Sequence, residues 1–100
     1  MRHFGAVTIG SSAFNGCTNL TSIDLSNVTS ILGYAFYGCS NLQIKVNIPN
    51  LTNLSGRAFR GSGIIEVENL GYITKIATDA GQGQFNTCTK LTKVQLPATI

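Results

Sequence analysis

The sequence predicts a fold that is α/β in class but strongly β-rich: a right-handed solenoid of short parallel strands, in about four repeats of 22–26 residues. Three observations predict it. A Phe-centred string returns four times, an apolar pattern with the period of a strand lies between successive copies, and the composition suits stacked turns better than helices.

The Phe string sets the register. Ser12-Ala13-Phe14-Asn15-Gly16-Cys17-Thr18-Asn19-Leu20 is followed 22 residues later by Tyr34-Ala35-Phe36-Tyr37-Gly38-Cys39-Ser40-Asn41-Leu42. A third copy, Arg57-Ala58-Phe59-Arg60-Gly61-Ser62, comes after a further 23 residues, and a fourth, Gln84-Phe85-Asn86-Thr87-Cys88-Thr89-Lys90-Leu91, after 26 more. Large apolar residues at such regular spacing are core residues, so the Phe column is read as buried rather than as a platform for bases or sugars.

Between the Phe strings runs Leu20-x-x-Ile23-x-Leu25-x-x-Val28-x-x-Ile31, with counterparts beginning at Val46, Leu70 and Leu91. Ile23-Asp24-Leu25 alternates as a half-buried strand does, and the three-residue spacings after it fit a tight return path. One such unit cannot bury its apolar face alone, whereas stacked copies bury a continuous core. The repeat cores fall near 9–30, 31–53, 54–75 and 76–100, within one domain spanning 1–100. The chain starts late in one unit and stops just after a strand with no obvious cap, as a segment of a longer protein would. The fourth copy carries an insertion, Thr78-Asp79-Ala80-Gly81-Gln82-Gly83, expected to bulge as a loop.

Composition narrows the function classes. Only 11% of the 100 residues are charged, against 43% hydrophobic, which excludes both disorder and a coiled coil. The net charge of +3 is small and scattered, so nucleic acid is not expected as a partner. No apolar run is long enough for membrane insertion, and Met1-Arg2-His3-Phe4-Gly5 is no signal peptide.

Together the strings at Phe14, Phe36, Phe59 and Phe85, with Leu20-x-x-Ile23-x-Leu25 and Leu91-x-x-Val94-x-Leu96-Pro97, resemble leucine-rich repeats, specifically the BspA-like subfamily of bacterial and protozoan surface proteins. The resemblance covers nearly the whole chain from Ile9 to Ile100, with departures at Ser62, Gln84 and Asn69. It implies a curved leucine-rich-repeat solenoid that binds proteins or adheres to a host, at the cell surface or secreted.

Two rows of strand residues are expected to face solvent and to form the binding face. One is Ser22, Lys45, Glu66 and Lys93, and the other is Asp24, Asn47, Glu68 and Gln95. In a parallel stack the Lys45-Glu66-Lys93 row alternates in sign, worth about 0.2–1 kcal/mol per pair. Mixed, mild charge of this kind suits a protein or glycan ligand. Tyr34, Tyr37 and Tyr72 lie off the repeat pattern and are further candidates for exposed contacts.

Catalysis is not expected. The acids are Asp24, Glu66, Glu68 and Asp79, and a single His without a neighbouring nucleophile builds no triad. No metal or cofactor site is expected either. Cys17, Cys39 and Cys88 lack any Cys-x-x-Cys spacing and share one repeat position, so they read as a buried ladder of small thiols. Adjacent rungs about 4.7–4.9 Å apart leave a Cys17–Cys39 disulfide geometrically open, although parallel side chains favour packing. Function is therefore read as a non-enzymatic protein-binding or adhesion module using the sheet face. The alternative is a structural segment that forms a homo-oligomer through uncapped ends, whose unpaired strand edges tend to find another chain.

Overall fold

The computed structural model describes residues 7–74, 76 and 83–100. Six short strands are present: β1 (Val7–Ile9), β2 (Val28–Ile31), β3 (Lys45–Asn47), β4 (Asn53–Leu54), β5 (Glu66–Asn69) and β6 (Lys93–Val94). They form two separate three-stranded sheets, β1-β2-β4 and β3-β5-β6, and every pairing is parallel. The described residues contain no helix, so the fold is a β-rich repeat and the α share of the expected class has no counterpart among them.

Alternation placed one strand in each repeat, at the position of Ile23-Asp24-Leu25. The structure differs in two ways. The return path is itself a strand where Val28–Ile31 pairs with β1 and β4, because its backbone finds partners one repeat away on both sides. Conversely, Ile23-Asp24-Leu25 is not a strand. Asp24 instead turns the chain, its Oδ1 accepting from the Ser26 backbone N–H at 2.9 Å, which is an Asx turn competing with the extended ladder.

The Phe strings form the turns that join the first sheet to the second. Each closes on itself by bonds from residue i+3 back to residue i, as from Tyr37 N–H to the Tyr34 carbonyl (3.2 Å) and from Cys39 N–H to the Phe36 carbonyl (3.2 Å). The turns also pair across repeats. Phe14 N–H donates to Ala35 O (2.8 Å) and Gly16 N–H to Tyr37 O (2.7 Å); Phe36 and Gly38 repeat this onto Ala58 and Arg60, and Phe59 and Gly61 onto Gln84 and Asn86. The ladder thus continues through the turns, and buried backbone groups stay satisfied.

This geometry requires left-handed backbone at two positions. Two residues after Phe, Gly16, Gly38 and Gly61 have φ of 72°, 71° and 69°, conformations open to glycine at little cost, and Thr87 takes the same place at 58°. Two residues before Phe, Ser12, Tyr34 and Arg57 have φ of 59°, 61° and 66° with no glycine to signal it.

The four Phe rings stack nearly parallel. Centroids lie 5.4 Å apart for Phe14–Phe36, 4.9 Å for Phe36–Phe59 and 5.5 Å for Phe59–Phe85, with interplanar angles of 8°, 6° and 11°. Phe36 and Phe59 are fully buried with Ile31, Leu42, Val46, Ile48, Leu51, Ile64, Val67 and Leu70, while Phe14 and Phe85 are only half-buried. The core is therefore densest in the middle of the stack. At its far side Val94, Leu96 and Ile100 are 44–49% exposed, although Val94 and Leu96 occupy apolar repeat positions.

The cysteine column does more than fill space. All three thiols are free, so Cys17 and Cys39 are not bonded. Cys39 Sγ donates to the Phe14 carbonyl (3.0 Å), and Cys88 Sγ donates to the Phe59 carbonyl (2.9 Å). Ser62, a departure from the repeat, continues the column: it is buried, and its hydroxyl lies 3.6 Å from Cys88 Sγ. Gln84, the other departure from the repeat, is also buried and donates to the Leu54 carbonyl (3.1 Å).

Candidate functional site

The polar residues that dominate the composition have a specific task. Thr29 Oγ1 donates to Val7 O, Asn41 Nδ2 to Thr18 O, Asn50 Nδ2 to Ser26 O, Thr52 Oγ1 to Thr29 O and Thr92 Oγ1 to Ile65 O, at 2.7–3.2 Å. Each donor lies 22–27 residues after its acceptor, one repeat along the chain. Ser, Thr and Asn are thus selected at turn edges where a short donor reaches the preceding repeat. Such bonds are worth about 0.5–1.5 kcal/mol each.

The binding-face candidates divide between the second sheet and its surroundings. Lys45, Glu66 and Lys93 are Cα partners across β3, β5 and β6 and form one row. Ser22 is not in that sheet, because its segment forms no strand. Among the described residues no contact ion pair closes along the row. Lys45 and Lys93 are exposed and Glu66 is half-buried.

The second row is corrected more deeply. Asn47 is in register with Asn69, not with Glu68, because the pairing slips between Val46 and Asn47 and leaves Glu68 as the extra residue of a bulge. Asn69, a departure from the repeat pattern, is the last member of β5; its Oδ1 then accepts from Gly71 N–H (2.8 Å) to turn the chain. Asp24 lies in the Asx turn outside the sheet, and the hydrogen bonds from Ser26 hold its carboxyl below the usual 3.8. Gln95 N–H donates to Val67 O (2.8 Å), continuing the ladder past the end of β6.

The bulge has a geometric result. Glu66, Val67, Glu68, Lys93 and Gln95 surround an open depression of about 190 Å³ where β5 meets β6. It offers two carboxylates, an ammonium and a carboxamide above an apolar floor, a mixed donor and acceptor set. Among the described residues no three His, Cys, Asp or Glu side chains gather as a metal cage would require. No helix among them is long and apolar enough to cross a membrane.

Of the other candidates, Tyr72 is 62% exposed, Tyr37 is 37% exposed and Tyr34 is half-buried. The loop Thr78 to Gly83 lies outside the described residues except for Gly83. Sequence reasoning missed Asn69 as a face residue; its only sequence signal is the following Gly71, the mark of an Asx turn.

Parallel strands joined by a recurring Phe-centred turn make this a β-rich repeat protein. Residues 7–100 match the family model described as the BspA type leucine rich repeat region (6 copies), and the chain belongs to that family. No curated protein and no solved structure matches it. Leucine-rich repeats generally mediate protein binding or adhesion and are typically non-enzymatic.

Proposed function

We propose that this chain is a protein- or glycan-binding adhesion module that continues its stack as a right-handed solenoid and binds through the face of the second sheet. The observation that carries this is the register Lys45–Glu66–Lys93 beside the depression at Glu68 and Gln95. Charged side chains left without ion-pair partners on a rigid sheet are already positioned for an incoming ligand, which lowers the ordering cost of binding. The test is an array of matrix proteins and glycans probed with the protein and with the K45E/E68K/K93E triple variant. A ligand captured by the first and lost by the second supports the face; equal capture removes it.

A second reading is favoured by the exposed apolar side chains Val94, Leu96 and Ile100. They fit self-association of the stack through its ends, where an added strand would cover them. Light scattering across a concentration series decides it, a strict monomer at high concentration ruling the reading out.

A further inference from the structure

We infer a second interaction surface, separate from the sheet face, on the ridge of Phe turns: a Tyr/Arg patch of Tyr34, Tyr37, Arg57 and Arg60 that fits a protein partner presenting Asp or Glu side chains. Tyr34 and Tyr37 stand two residues before and one residue after Phe36, and Arg57 and Arg60 stand likewise around Phe59. The backbone bonds from Phe36 N–H to Ala58 O and from Gly38 N–H to Arg60 O set one turn directly against the next. Two aromatic residues on one turn are thereby set beside two arginines on the next, where the first copy has Ser12 and Asn15.

The patch is ordered internally. Tyr34 and Tyr37 meet edge to face at 5.3 Å and 75°, and the Arg57 guanidinium carbon stands 5.5 Å from the Tyr34 ring centroid. Arg57 Nε is buried and makes no hydrogen bond, so the contact with the Tyr34 ring is what holds the group. Among the described residues neither Arg57 nor Arg60 has a carboxylate partner. Tyr and Arg are residue types that anchor protein interfaces, the ring burying a large area at little rotamer cost and the guanidinium supplying directed donors. Carboxylates complement them in charge and in their planar, bidentate geometry. A protein is favoured over an acidic glycan because leucine-rich repeats generally mediate protein binding.

The surface does not depend on the sheet face, and the experiment separates the two. Arrays of short peptides with rising Asp and Glu content, matched peptides with Lys and Arg, and acidic glycans are probed with the protein and its variants. Retention should rise with carboxylate count, fall with added salt, and drop roughly tenfold or more in R57A and in R60E. Arg60 carries no left-handed backbone, so R60E remains informative if R57A folds poorly; unfolding midpoints of both variants are read in parallel. The K45E/E68K/K93E variant should bind these peptides as the unsubstituted protein does. Capture of acidic glycans but not peptides, no retention at all, retention by both Arg variants equal to that of the unsubstituted protein, or loss in the sheet-face variant overturns the inference.

Discussion

The Phe stack gives the sharpest quantitative expectation, because position within it differs while chemistry does not. Phe59 is fully buried between Phe36 at 4.9 Å and Phe85 at 5.5 Å. Phe59→Ala removes a buried ring and leaves a cavity, a change that costs about 3–5 kcal/mol. Two stacked neighbours, each worth about 0.5–1.5 kcal/mol beyond area, place the loss at the upper end of that range. Phe14 is half-buried with one ring partner at 5.4 Å, so Phe14→Ala should cost about half as much. A domain of this size has about 5–15 kcal/mol in all, so F59A approaches global unfolding, and Phe59→Leu provides a milder companion. Leucine retains most of the volume but forfeits both stacked contacts, an expected loss of about 1–3 kcal/mol. Urea unfolding followed by circular dichroism supplies the midpoints and slopes. The reasoning fails if F14A is as damaging as F59A, or if F59L is as stable as the unsubstituted protein.

Four other outcomes are expected. Thr87→Gly should raise stability by about 0.5–1 kcal/mol, visible as a melting temperature higher by a few degrees, because a β-branched residue at φ 58° is replaced by the residue found at that place in the other copies. Gly71→Ala should cost about 2 kcal/mol or more in the same melt, since a Cβ there meets the Leu51 backbone N and O at 2.6 Å and φ is 63°. Burial pushes the Cys39 and Cys88 thiols above their usual 9.0, so the folded chain keeps protons that the unfolded chain loses: stability is intact below 9.0 and declines as the pH climbs beyond it. Alkylation followed by mass spectrometry should accordingly find half-buried Cys17 modified first, with Cys39 and Cys88 labelled only on unfolding.

The parts of the fold legible in the sequence are those written in single columns. Phe14, Phe36, Phe59 and Phe85 announce their stack by identity and spacing, and the Gly column announces its left-handed backbone. What stayed hidden depends on partners a whole repeat away. Val28–Ile31 lacks the two-residue period because both its ends are buried and its middle half-buried, so alternation cannot reveal a strand that pairing creates. Ile23-Asp24-Leu25 has the period, yet a two-residue side-chain bond from Asp24 prevails over it. At the candidate face, Lys45, Glu66 and Lys93 were readable as one row because no insertion separates them from their valines. Asn47 and Glu68 were not, since the slip that pairs Asn47 with Asn69 adds one residue to β5 and leaves no mark in the local pattern. Tyr34 and Arg57 carry strained backbone without glycine, and only superposing the repeats exposes it.

The polar arms that reach back one repeat also bear on how the chain responds to force. Asn41, Asn50, Thr52 and Thr92 each grip only the preceding repeat, and the strands lie across the direction of stacking. Tension along the stack therefore loads one inter-repeat seam at a time, peeling its bonds in sequence rather than shearing them together. Each seam that opens frees about 22 residues, or roughly 75 Å of slack at about 3.4 Å per residue. A tether built this way yields in steps, lengthening under a sudden pull while the repeats not yet opened keep their surfaces intact.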